Sequence, residues 1–121
     1  MSFPNFLNLN LAVQCQDLAG EINKVYQRLA WALKNEIVQR LKRQAHRLAQ
    51  SVQCAQDSKS HSQTEKHLED SLPLAHELVP LMDLCLRKNL LSPELQKRWV
   101  LQLKKIEPQL QEWLASSDSS R

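Results

Sequence analysis

The side chains with chemical potential are three arginines, Arg40, Arg43 and Arg47, spaced by three and four residues. On a helix they fall within an arc of about 60°. A guanidinium is a planar fork of donors that matches phosphate or carboxylate oxygens. A row at helical pitch can follow a nucleic-acid backbone. Lys42 and His46 lie farther round the same helix, and Lys97, Arg98, Lys104 and Lys105 form a second basic group near the C-terminus. These eight basic positions (Arg40, Lys42, Arg43, Arg47, Lys97, Arg98, Lys104 and Lys105) are the candidate nucleic-acid contacts. The competing reading is a solvated face, or salt bridges to an acidic helix of the same or another subunit. No aromatic interrupts the arginine row, so backbone or shape recognition is expected rather than base readout.

Other chemistry is poorly provided for. The histidines are His46, His61, His67 and His76, and none has a glutamate three residues before it. A di-metal bundle site needs that spacing to aim both side chains at one ion. No metal site or cofactor is expected. Cys85 and His76 are nine residues apart and point in different directions on a helix, so a thiol nucleophile with a local base is not expected. The three cysteines, Cys15, Cys54 and Cys85, read as reduced thiols packed as small hydrophobes. A non-enzymatic protein follows.

Charge is divided by segment. Between Lys24 and Arg47 seven basic residues face one acid, Glu36. Between Glu65 and Asp83 five acids face Lys66. Net charge is only +3, so this segregation, rather than the total, gives a folded chain basic and acidic faces.

The elements that must carry these groups are helices. The chain of 121 residues has 22 leucines and 13 glutamines but one glycine and ten β-branched residues. Strands and tight turns need the opposite balance, and one glycine builds no phosphate loop. The length suits a single domain, 1–121. The longest apolar run, Leu29–Leu33, is too short for a membrane span. The N-terminal Met1-Ser2-Phe3-Pro4-Asn5 lacks the basic residues of a signal peptide, so a cytoplasmic protein is expected.

Apolar residues recur every three or four positions through Leu11, Cys15, Leu18, Ile22, Val25 and Leu29, then Leu33, Ile37, Leu41, Leu48 and Val52. One helix of about 45 residues would span ~65 Å, too long for this mass, so a turn is expected within 30–35. Ser62-Gln63-Thr64-Glu65 matches a capping box for a third helix containing Pro73 and Pro80, with Ser71 as an alternative start. Ser92-Pro93-Glu94 starts a fourth, which Pro108 should kink. Expected helices are 9–30, 34–56, 63–88 and 93–115, with a frayed tail 116–121. Short connectors make each helix pair with its neighbour, giving an all-α, antiparallel up-down four-helix bundle. Trp31, at the bend, and Trp113, near the end of the last helix, fit core or subunit-contact positions.

Two stretches carry a family resemblance. Asn89-Leu90-Leu91-Ser92-Pro93-Glu94-Leu95, followed by Leu103, Ile106, Leu110, Trp113 and Leu114, resembles the end of a family of small four-helix-bundle proteins. These show a Leu-Leu-Ser cap and an Ile-x-x-x-Leu-x-x-Trp-Ile pattern. Ile37-Val38-Gln39-Arg40-Leu41, with Ala45 and Leu48, is similar to their second helix. The family includes the 23S rRNA intervening-sequence proteins and the accessory variability determinant (Avd) proteins of diversity-generating retroelements. The resemblance spans most of 12–115. The family's helix-four glycines are replaced by Glu107, Gln111 and Glu112, its Phe-Pro turn between helices one and two is missing, and Pro73, Pro80 and Pro108 are unusual in it. The resemblance implies a barrel-like homopentamer with a basic surface. It also implies an accessory role in which the protein binds a reverse transcriptase together with template RNA or DNA. The alternative is a structural protein–protein interaction module without a nucleic-acid role.

Overall fold

The computed structural model describes residues 3–29 and 36–119, and the side chains of 10–29 and 36–116. Four helices account for almost all of it: α1 (Phe3–Arg28), α2 (Glu36–Asp57), α3 (His61–Arg87) and α4 (Pro93–Ser119). No strand occurs among the described residues. α1 ends at Arg28 and α2 begins at Glu36, while the turn expected within 30–35, with Trp31, lies outside the described residues.

The three-and-four rhythm produces the core. Leu11, Cys15, Leu18 and Ile22 of α1 are buried, as are Val38, Leu41, Ala45, Leu48 and Val52 of α2. α3 adds Leu68, Ala75, Leu78 and Met82, and α4 adds Trp99, Leu103, Ile106 and Leu110. Val25, Leu29 and Ile37 are only half-buried against this cluster. At about 25 cal/mol per Å² of apolar surface removed from water, this core is the main stabilising term. Trp99 is its largest fully buried side chain. Trp113 packs half-buried against it.

Each helix packs against its neighbour in sequence, and α1 also meets α4, over the sparsest of the four interfaces. Among the described residues α2 and α4 make no packing contact, nor do α1 and α3, so these pairs stand diagonally. The interhelical hydrogen bonds follow the same cycle. Gln16 Nε2 donates to Gln53 Oε1 at 2.8 Å, Gln109 Nε2 to Gln14 Oε1 at 3.1 Å, and Gln44 Nε2 to Glu77 Oε2.

Helix ends follow capping chemistry, with one correction. α3 starts at His61, and its cap is Ser60, not Ser62. The Gln63 N–H donates to Ser60 Oγ at 3.3 Å. Either serine satisfies the spacing to a first turn. The earlier one prevails because Thr64 N–H also reaches the Ser60 carbonyl and Thr64 Oγ1 donates to it. α3 does not restart at Ser71 but runs through Pro73 and Pro80, both exposed. Each proline ring faces outward, so the missing backbone bond lies on the wetted side.

α3 closes with a Schellman motif: Asn89 takes a left-handed φ of 59°, its N–H bonds Leu86 O, and Leu90 N–H bonds Cys85 O at 2.9 Å. Leu90, the residue after it, is buried, which supplies the apolar contact of that motif. Ser92 then caps α4, accepting from Leu95 N–H at 3.2 Å with Pro93 in the first turn, as the sequence spacing predicts. α1 and α4 start and end outside the expected limits, at Phe3 and Ser119, so 116–119 is helical rather than frayed.

Candidate functional site

The eight candidate residues do not converge. Four lie on α2 and four on α4, and because these helices are diagonal their outer faces point to different sides of the molecule. The sequence offers no way to see this, since both groups read alike as basic helix faces.

On α2, Arg40, Arg43 and Arg47 are exposed, as is His46. Arg43 and Arg47 make no ion pair with other described residues. Arg40 reaches across to α3, with Nη2 3.8 Å from Glu77 Oε1. Both side chains are about half in water (59% and 47% exposed), so the pair is weak and readily exchanged. Glu77 also accepts a hydrogen bond at its other oxygen from Gln44, a buried amide. Lys42 is not part of the outer stripe. It turns toward α1 and sets its ammonium 4.5 Å from the centre of the Tyr26 ring, a cation–π contact.

On α4, Lys97, Lys104 and Lys105 are exposed. Arg98 is committed elsewhere: its Nη2 lies 2.9 Å from Glu21 Oε1 on α1. Trp99 Nε1 donates to the same oxygen at 3.1 Å. Burial pushes the Glu21 carboxyl up. Hydrogen bonds from Trp99, Arg98 and Gln102, with the Arg98 charge, outweigh it and hold the group below the usual carboxylate range. Arg98 therefore belongs to an α1–α4 latch rather than to an open basic patch. It was selected for its charge alone, and its partner is 77 residues away.

Two of the three thiols are buried. Burial pushes the Cys15 thiol up from 9.0 to about 12 and raises Cys85 as well, so both remain protonated near neutrality. Cys54 is exposed. His76 Nε2 lies 3.1 Å from Glu107 Oε2, joining α3 to α4. Among the described residues no three His, Cys, Asp or Glu side chains gather as a metal cluster, and no helix is long and apolar enough to cross a membrane.

Sequence reasoning missed a second feature beside the arginine stripe. A groove of about 750 Å³ runs between α1 and α2. Gln16, Gly20, Asn23 and Gln27 line it from α1, and Lys42, His46, Gln50 and Gln53 from α2. Both sets repeat at three- and four-residue spacing, the rhythm of a single helix face. The signal was present in the glutamines, but their count served only as a mark of helix propensity.

Comparisons with protein-family models, with curated proteins and with solved structures each give no significant match.

Proposed function

We propose that this chain is a non-enzymatic accessory protein that binds the backbone of RNA or DNA. It is an antiparallel up-down bundle that assembles into a homo-oligomer. The observation that carries the reading is the outer face of α2, where Arg43 and Arg47 stand exposed without an ion-pair partner among the described residues, next to a weakly held Arg40. Phosphate oxygens suit those forks, and each neutralised phosphate releases condensed counterions. The pairings of residue 14 with 109 and 21 with 98 support opposed directions for α1 and α4, and 16 with 53 does so with 26 and 42 for α1 and α2. Exposed Val13 and Leu101, on the adjoining helices α1 and α4, support a subunit contact. The resemblance to the retroelement accessory proteins adds a pentamer and a reverse transcriptase as partner, acting in the cytoplasm.

The test is replacement of Arg40, Arg43 and Arg47 together by glutamine, with binding measured over a range of salt. Chain length and helix propensity are nearly kept while three charges go. Loss of three contacts should flatten the logarithmic salt slope by about 2 on single strands and ~2.7 on duplex. A folded, oligomeric variant that binds like the parent at every salt concentration refutes the reading. A structural interaction module would then hold, for which the Arg40–Glu77 pair between basic α2 and acidic α3 is the favouring observation.

A further inference from the structure

We infer that the groove between α1 and α2 receives an unstacked base of a single-stranded nucleic acid, so that single strands are preferred over duplex. This rests on the nucleic-acid reading above and specifies which form is bound and where.

The groove has the volume of an ordinary ligand site, about 750 Å³. Its floor is small: Ala19, Gly20 and Ala49 line it, and a Cβ built on Gly20 would meet nothing within 4 Å. A flat group can thus lie close to the α1 backbone. Its walls are amides. Each primary amide sets a donor and an acceptor side by side in one plane, the pattern that base edges present. Gln16 and Gln53 bond one another across one end, leaving Gln50 beside that pair and Asn23 and Gln27 farther along the groove. Lys42 and His46 lie inside the groove, and Arg43 and Arg47 follow on the exposed face of α2 beyond it. A base in the groove would therefore have the Lys42 ammonium beside its own phosphate and the arginines farther along the strand.

Charge and polarity exclude the simpler occupants. An apolar helix face laid here would bury amide groups without partners, at about 1–3 kcal/mol for each group. A duplex keeps its bases stacked, so its phosphate ridge reaches only the outer arginines. Tyr26 offers no open stacking face on the Lys42 side, so hydrogen bonding rather than stacking holds the base. Glutamine amides can rotate to suit different edges, so the preference is for strandedness, with little choice among bases.

The test uses fluorescence anisotropy with a short oligouridylate and an abasic phosphodiester strand of equal length and charge. The variants are Gly20→Leu, which fills the groove, and Gly20→Ala, which leaves most of it open. Both replace glycine inside a helix by better helix formers. A third variant, Gln27→Ala with Gln50→Ala, removes amides without adding bulk. The parent should bind oligouridylate more tightly than the abasic strand. Gly20→Leu and the double amide variant should each lower oligouridylate affinity about tenfold, as for one or two lost hydrogen bonds. Binding of the abasic strand should stay within about twofold. Equal binding of the two strands by the parent, or undiminished oligouridylate binding by both variants, overturns the groove inference while leaving backbone binding intact. An acidic helical peptide that outcompetes the oligonucleotide and is itself lost in Gly20→Leu also overturns it. If neither strand binds the parent, the nucleic-acid reading itself fails.

Discussion

Glu21 closes the ring of helices, and its replacement yields a graded, pH-dependent loss of stability. The carboxylate accepts from the buried Trp99 indole at 3.1 Å and faces the Arg98 guanidinium at 2.9 Å, across the sparsest helix interface. The two partners differ in worth. Arg98 is 59% exposed, so its pair is a surface ion pair of about 0–1 kcal/mol. Trp99 is 1% exposed, and its N–H has no water to fall back on. Glu21→Gln keeps an acceptor for the indole but loses the charge, and should cost about 1 kcal/mol. Glu21→Ala leaves the indole N–H buried and unpaired, and should cost ~2–3 kcal/mol. With a urea slope of about 2 kcal/mol per M, the midpoints should fall by roughly 0.5 M and 1–1.5 M respectively. Helical circular dichroism is the proper readout, since tryptophan fluorescence would report the perturbed site itself.

The pH dependence follows from the direction of the shift. Glu21 is held below its ordinary value of 4.5, so the unfolded chain takes up its proton first as pH falls. The contribution of the charged group is complete above 4.5 and disappears as pH drops through the lower folded-state value. Parent and Glu21→Gln should therefore differ near neutrality and converge in acid. A constant difference from neutrality into acid, or a Glu21→Ala variant no less stable than Glu21→Gln, would refute the latch.

Three further outcomes are expected. In the native protein a disulfide reagent such as Ellman's should modify Cys54 alone, with Cys15 and Cys85 reacting only on unfolding; stability should also fall as pH rises from 9 toward 12, because the unfolded chain loses the Cys15 proton first. Asn89→Ala places an ordinary side chain at a φ of 59° and should cost about 1 kcal/mol in urea unfolding, whereas Asn89→Gly should be neutral or slightly stabilising. Leu103→Ala, at a fully buried position on α4, should cost ~2–5 kcal/mol by the same assay, depending on how far the core closes over the cavity.

The helices were legible because burial along a helix has one period, and the chain keeps it from Leu11 to Ile22, from Val38 to Val52 and again from Trp99 to Leu110. Ser92-Pro93 marked the start of α4 without ambiguity because cap and proline agree on one position. Ser60 and Ser62 did not, since two serines within three residues both fit a cap, and the choice turned on Thr64. The candidate site was legible only as a list of charges. Whether a cation is free depends on partners far along the chain, as with Arg98 and Glu21 or Arg40 and Glu77, and one-dimensional spacing carries none of that. The amide groove needs two helices side by side, so neither set of four residues announces it alone.

A residual charge pattern links the fold to the proposed role. Glu21, Glu77, Asp83 and Glu107 each stand beside a basic group, Arg98, Arg40, Arg87 and His76 respectively. Arg43 and Arg47 are left out of this arrangement. Their neighbours three and four residues along α2 are Gln39, Arg40, Gln44, His46, Gln50, Ser51 and each other, with no acid among them. Like charges at that spacing destabilise a helix by a few tenths of a kcal/mol, and a glutamate at position 39 or 50 would relieve the strain at no steric loss. The same like-charge spacing recurs at Lys24 and Arg28 on α1, and on α2 it forms a row with Arg40. Under the proposed reading a polyanion would offset the repulsion along that row. The modest net charge of +3 therefore understates the field at Arg43 and Arg47, because the acids nearest the stripe, Glu36 and Glu77, stand beside Arg40 instead.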